Sequence, residues 1–137
     1  MLQNAAATTP SIDSKVLFSR CMGNVSFAFA LLDELEANGM QQVESILIHA
    51  ASDEPHAAAE AAHSLKGAAA IIGAEPLRGK AAEIEAAGHA DETSQLLELV
   101  QDLRYEMDRC LTYLPILRTD LQRYSQPDRL PGEVGEG

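Results

Sequence analysis

Tryptophan is absent from the 137 residues, aromatic side chains make up 4% of them, and cysteine occurs twice. The two thiols, Cys21 and Cys110, lie far apart and form neither a disulfide framework nor a metal-binding pair, so they read as small core residues in a reducing compartment. Basic residues are scarce as well: 10 Lys and Arg stand against 21 Asp and Glu, a formal net charge of -11. Such a surface repels phosphate backbones and anionic lipid, which excludes nucleic acid and membrane as expected partners. No apolar run approaches the ~20 residues needed to span a bilayer, and residues 1–10 lack the basic start and apolar centre of a secretory signal. A cytoplasmic protein is expected. There is no glycine-rich phosphate loop and no carboxylate cluster at metal-binding spacing, so neither kinase or ATP-binding activity nor a resident cofactor or metal is expected.

What the chain does have is helical pattern, in a length that suits one domain. Residues 1–10 read as a disordered lead-in, 11–124 as the folded bundle and 125–137 as a mobile acidic tail. Asp13 is placed to cap a short first helix ending near Cys21 or Met22, and Asn24 to cap a second. Apolar residues from Val25 through Leu32, Leu35, Val43 and Ile46 keep phase across Gly39. One helix over about 25–51 is therefore favoured over a break at Gly39. Ser52-Asp53-Glu54-Pro55 reads as the capped start of a third helix that runs to Ile72 and ends at Gly73. Pro76 opens a fourth, which stops at Gly88, and Asp91 caps a fifth. Pro115 predicts a kink or a separate segment in that last helix, although Leu117, Leu121 and Tyr124 keep the spacing beyond it. The expected fold is all-α: an antiparallel up-and-down four-helix bundle with an additional short N-terminal helix.

The chemistry concentrates in His63-Ser64-Leu65-Lys66-Gly67, with Gly73 six residues on. At about 100° per residue, His63, Lys66 and Gly67 share a stripe roughly opposite Leu65, Ala69 and Ile72, so the imidazole points outward. An exposed, uncrowded imidazole suits reversible phosphorylation. Gly67, one turn on, removes a side chain that would obstruct a partner, and Lys66 can set an ammonium beside phosphoryl oxygens.

His63-Ser64-Leu65-Lys66-Gly67 followed by Gly73 resembles the signature of histidine-containing phosphotransfer (HPt) domains, the helical intermediates of multistep phosphorelays. The likeness in organisation runs from about Ile12 to Leu114. It implies that His63 accepts a phosphoryl group from an aspartyl phosphate on one receiver domain and passes it to an aspartate on another. Partners would be response-regulator receiver domains and a hybrid sensor histidine kinase, with magnesium on the receiver and this chain a monomeric carrier. The family presents a Glu or Gln on the following helix to orient the imidazole, and Glu85 stands at that position; an ordinary solvated helix acid is the other reading. Gly67, Ala59, Ala70, Ala81 and Ala82 would leave a smooth docking patch, with Lys66, Arg78 and Lys80 reducing its acidity. Gly79 and Pro115 are locally unfavourable inside their helices.

Two other readings stay open at this stage. His56 and His63, seven apart with Glu60 between, could serve a metal-binding bundle, and the fold could be an interaction bundle that carries no phosphate. His49, His56 and His89 otherwise read as surface or partly buried residues.

Overall fold

The computed structural model of the protein describes residues 10–124; the expected tail over 125–137 and all of the lead-in except Pro10 lie outside them. The chain forms α1 (Ser14–Arg20), α2 (Val25–Ala51), α3 (Pro55–Ile72), α4 (Glu75–His89) and α5 (Leu96–Tyr124), with one 3-10 turn, Thr93–Gln95, ahead of α5. No strand occurs among the described residues. Helices α2 to α5 close a ring in which each packs on its two neighbours, and α1 lies against α3, α5 and α2. This is the four-helix bundle with an added N-terminal helix.

The core follows from the apolar stripes. Leu32, Leu35, Val43 and Ile46 of α2, Ala58, Ala62, Leu65, Ala69 and Ile72 of α3, Leu77, Ala81 and Ile84 of α4, and Val100, Leu103, Met107, Leu114, Leu117 and Leu121 of α5 are all buried. Burying each large aliphatic side chain contributes about 1.5–3 kcal/mol. Both thiols are free and buried, and burial pushes the Cys110 thiol up to about 12, the Glu106 charge adding to the rise.

Asp13 accepts from the backbone N–H of Lys15 and Val16 at 3.0 and 3.3 Å, and Asn24 accepts from that of Phe27 at 2.9 Å, so α1 and α2 begin at side-chain caps. Two other boundaries differ from expectation. Neither Ser52 nor Asp53 caps α3, which starts at Glu54-Pro55 without a side-chain cap, and Asp91 does not cap α5. Asp53 and Asp91 instead sit at φ 60° and 59° and terminate the preceding helices: Glu54 N–H donates to the His49 carbonyl and Glu92 N–H to the Ala87 carbonyl, both at 2.9 Å. Aspartate tolerates the left-handed region, so the same residue type serves a helix end as readily as a start.

Two further corrections concern α4 and α5. Gly88 does not stop α4, which continues to His89; a Cβ at Gly88 would lie 2.4 Å from the Pro55 carbonyl oxygen and 2.8 Å from the Ala59 Cβ. Its function is close approach of α3 and α4. The separate segment beyond Pro115 does not form: α5 runs as one helix from Leu96 to Tyr124 with Pro115 on its exposed side. An interior proline costs about 3 kcal/mol, which burial of Leu114, Leu117 and Leu121 around it outweighs.

Candidate functional site around His63

His63 projects from the middle of α3, and its side chain is 65% exposed. Its neighbour is set by the α3–α4 seam: the turn at Gly73 and Ala74 returns the chain antiparallel, and Gly88 and Ala59 bring the two helices into contact one turn beyond Glu85. Gly73 fits that turn because it adopts φ 77° and because a Cβ there would stand 3.0 Å from the Asp13 carbonyl oxygen and 3.1 Å from Val16. Asp13 N–H also donates to the Gly73 carbonyl at 3.0 Å, which ties the start of α1 to the hairpin.

Across the seam one carboxylate engages both motif side chains. Glu85 Oε2 is 2.7 Å from His63 Nδ1, and Glu85 Oε1 is 2.6 Å from Lys66 Nζ. The Glu85 side chain is only 17% exposed, and these contacts, the Lys66 hydrogen bond foremost and His63 after it, hold its carboxyl below the usual range despite the opposing effect of burial. An ionised Glu85 accepts a hydrogen bond from Nδ1–H, which favours that tautomer and leaves Nε2 with its lone pair on the open side of the ring. Lys66 is thus engaged by the carboxylate that orients His63, a link its spacing in the sequence did not show.

The proposed docking residues separate into two groups. Gly67 is exposed, with nothing within 4 Å of where a Cβ would stand, and Ala70 and Ala82 are half-buried. Ala59 and Ala81, in contrast, are fully buried in the helix seams and cannot form part of a surface patch. Lys80 turns toward Glu83 and Asp102, at 3.4 and 3.6 Å, and does not serve the His63 side. Arg78 pairs with Glu75 at 2.5 Å near the start of α4.

Residues outside the motif complete the surroundings. Glu60, Ser64 and His89 line a shallow depression together with His63 and Glu85. The sequence carried a signal for His89, which falls four residues after Glu85 on the same face of α4. His56 lies against Asp91, with Nε2 3.3 Å from Oδ1, and against the His89 ring. Among the described residues no three His, Cys, Asp or Glu side chains converge in a way that could hold a metal ion, so the metal-bundle reading through His56, Glu60 and His63 has no geometric support.

An exposed imidazole oriented through Nδ1 has the geometry that a reversible phosphoryl acceptor needs. The family model for the Hpt domain matches residues 30–123, and the chain belongs to that family. Among solved structures it resembles histidine-containing phosphotransfer protein B (HptB) from Pseudomonas aeruginosa PAO1, with a TM-score of 0.73 and 23% identity over 85% of this chain and 99% of that one. At that identity the likeness speaks for the fold. No curated protein matches the chain. No single helix among the described residues is long and apolar enough to cross a membrane.

Proposed function

We propose that this protein is a phosphorelay intermediate that takes a phosphoryl group onto His63 from a receiver-domain aspartyl phosphate and delivers it to the aspartate of another receiver. The observation that carries this reading is the pairing of His63 Nδ1 with Glu85 at 2.7 Å while the rest of the ring stays open to solvent. Nε2 attacks phosphorus, the P–O bond to the aspartyl carboxylate breaks, and its electron pair leaves with the carboxylate. The ring becomes cationic as the N–P bond forms, and Glu85 is placed to stabilise that charge through Nδ1–H. Lys66 offsets the charge of Glu85 in the resting protein and lies within a turn of the incoming phosphoryl oxygens. Magnesium belongs to the receiver in this scheme, and the setting is the cytoplasm, where receivers work. Between two energy-rich phosphates the step runs in either direction.

The test is transfer of labelled phosphoryl from a phosphorylated receiver domain to the wild-type chain and to His63→Gln. Acid-labile, base-stable label on the wild type alone is the expected result. No label from any of several receivers would favour an interaction bundle that carries no phosphate, and equal label on His63→Gln would place the nucleophile elsewhere.

A further inference from the structure

The charges at His63 balance before any phosphoryl group arrives. Glu85 is shared by Lys66 Nζ at 2.6 Å and His63 Nδ1 at 2.7 Å, so the ammonium of the motif is already matched by a carboxylate. A phosphoryl group on Nε2 brings up to about two further negative charges into a chain of net charge -11. Helical side chains lean toward the start of their helix, so the His63 ring overhangs the preceding turn, where Glu60 stands. The depression there is lined by Glu60, His63, Ser64, Glu85 and His89. Glu60 repels an anion and Ser64 offers one neutral hydroxyl, whereas His89 can be both donor and cation. His89 reaches this place because Gly88, its neighbour in the chain, lets α4 meet Ala59 of α3 with no side chain between.

The titratable groups on the elements around His89 are His56, Glu60 and His63 of α3, Glu85 of its own helix, and Asp91 and Glu92 just beyond it, while the Thr93–Gln95 turn carries no charge. Glu54, at the start of α3, is turned to His49 at 2.8 Å. The His56 ring lies 5.8 Å from that of His89, but its Nε2 is 3.3 Å from Asp91 Oδ1, which engages it away from His63. Resting on the phosphotransfer reading, we infer that His89 is a phosphoryl-binding residue: when His63 is phosphorylated, the His89 imidazole takes a proton from solvent and donates to a phosphoryl oxygen. An imidazole changes charge between about pH 5 and 8, so this hold tightens as the solution becomes mildly acidic. The phosphoryl group and the His89 proton stabilise one another by the same factor. The contribution is complete below the titration midpoint of the unphosphorylated protein and is lost as pH rises through that of the phosphorylated one. A rise of about half a pH unit in that midpoint corresponds to about threefold in the phosphorylation equilibrium.

In the experiment the full chain is phosphorylated on His63 by the small donor phosphoramidate or by a receiver domain, and the histidine ring resonances are titrated before and after. The His89 midpoint is expected to rise by about half a pH unit or more, and by more than that of His56. In a second arm the label is shared between the chain and one receiver, and its equilibrium distribution is read at about pH 6 and about pH 8. His89→Gln should hold about threefold less label than wild type at the lower pH and the same at the higher. His89→Lys, a cation at both, should remove the difference between them, and His56→Gln should follow wild type. A packing role for His89 would change stability in the variants and leave the pH dependence as it is. A His89 midpoint that stays put or moves no more than that of His56, or a His89→Gln variant with the wild-type pH dependence, would overturn the inference even if transfer proceeds. A His89 midpoint that rises on phosphoramidate labelling in a chain that no receiver charges would defeat the phosphotransfer reading and leave His89 as a phosphoryl-binding residue. A chain that takes no label on His63 from either source would defeat both.

Discussion

The α3–α4 seam and the α2–α5 seam each place a glycine at a point of close approach, yet the two are built to different tolerances. At Gly88 the obstacle to a Cβ is backbone and a neighbouring Cβ, the Pro55 carbonyl at 2.4 Å and Ala59 at 2.8 Å. At Gly39 it is the far end of a flexible side chain, Met107, with Sδ at 2.7 Å. A thioether can swing aside; a carbonyl in a helix can move only with its helix. The rigid seam is the one that sets Glu85 against His63, while the tolerant one is tied at its surface by Arg104 to Glu44 and by Arg118 to Asp33 and Glu36. Exposed pairs of this kind contribute little individually. Of these two seams, the precise one is where two side chains from different helices must meet.

The largest effect is expected from Gly88→Ala. Separating α3 from α4 should lower stability by about 1–3 kcal/mol, as overpacking does. It should also weaken the His63–Glu85 contact, seen as a change in the His63 ring resonances and slower transfer. A melting midpoint equal to wild type would show that the seam is not rigid. Gly67→Ala sharpens the contrast with the opposite sign. A Cβ there meets nothing in the protein, so the helix should gain about 1 kcal/mol while transfer from a receiver slows. A variant both more stable and equally fast would mean that the partner does not press on Gly67. Gly39→Ala should change stability by no more than about 1 kcal/mol, helix propensity offsetting the displacement of Met107. A loss as large as that at Gly88, measured by denaturant unfolding, would erase the distinction between the seams.

The smallest effect concerns pH. Because the folded-state value of Glu85 lies below its ordinary 4.5, the carboxylate stabilises the fold above that pH, and the contribution disappears as pH falls through the folded-state value. Glu85→Gln should therefore flatten the acid side of the stability profile and leave the neutral side parallel to wild type. An unchanged acid limb in thermal melts would show that the Lys66 and His63 contacts do not persist in solution.

Much of the site was legible in the chain. His63, Lys66 and Gly67 share a stripe by helical spacing alone, and Glu85 could be picked out by its place after Ile84 on the next helix, though only through family likeness. That Glu85 binds Lys66 as well as His63 was hidden, because a helix surface offers several partners and their choice depends on how closely the helices approach. Ala59 and Ala81 were misplaced for a related reason: alanine fits a surface or a seam equally well, and only the neighbouring helix decides. Asp53 and Asp91 illustrate the same ambiguity at boundaries, since aspartate favours both helix starts and left-handed ends.

By itself the sequence determined the periodic apolar faces, the five helices, the acidic surface and the outward-pointing histidine, because these depend on local propensity and spacing. The tertiary structure decided which glycines bear contacts, which alanines are surface, where Lys66 and Lys80 turn, and that α1 brings Arg20 beside the end of α3. Those are distances between segments remote in the chain, fixed only when close packing brings the helices together.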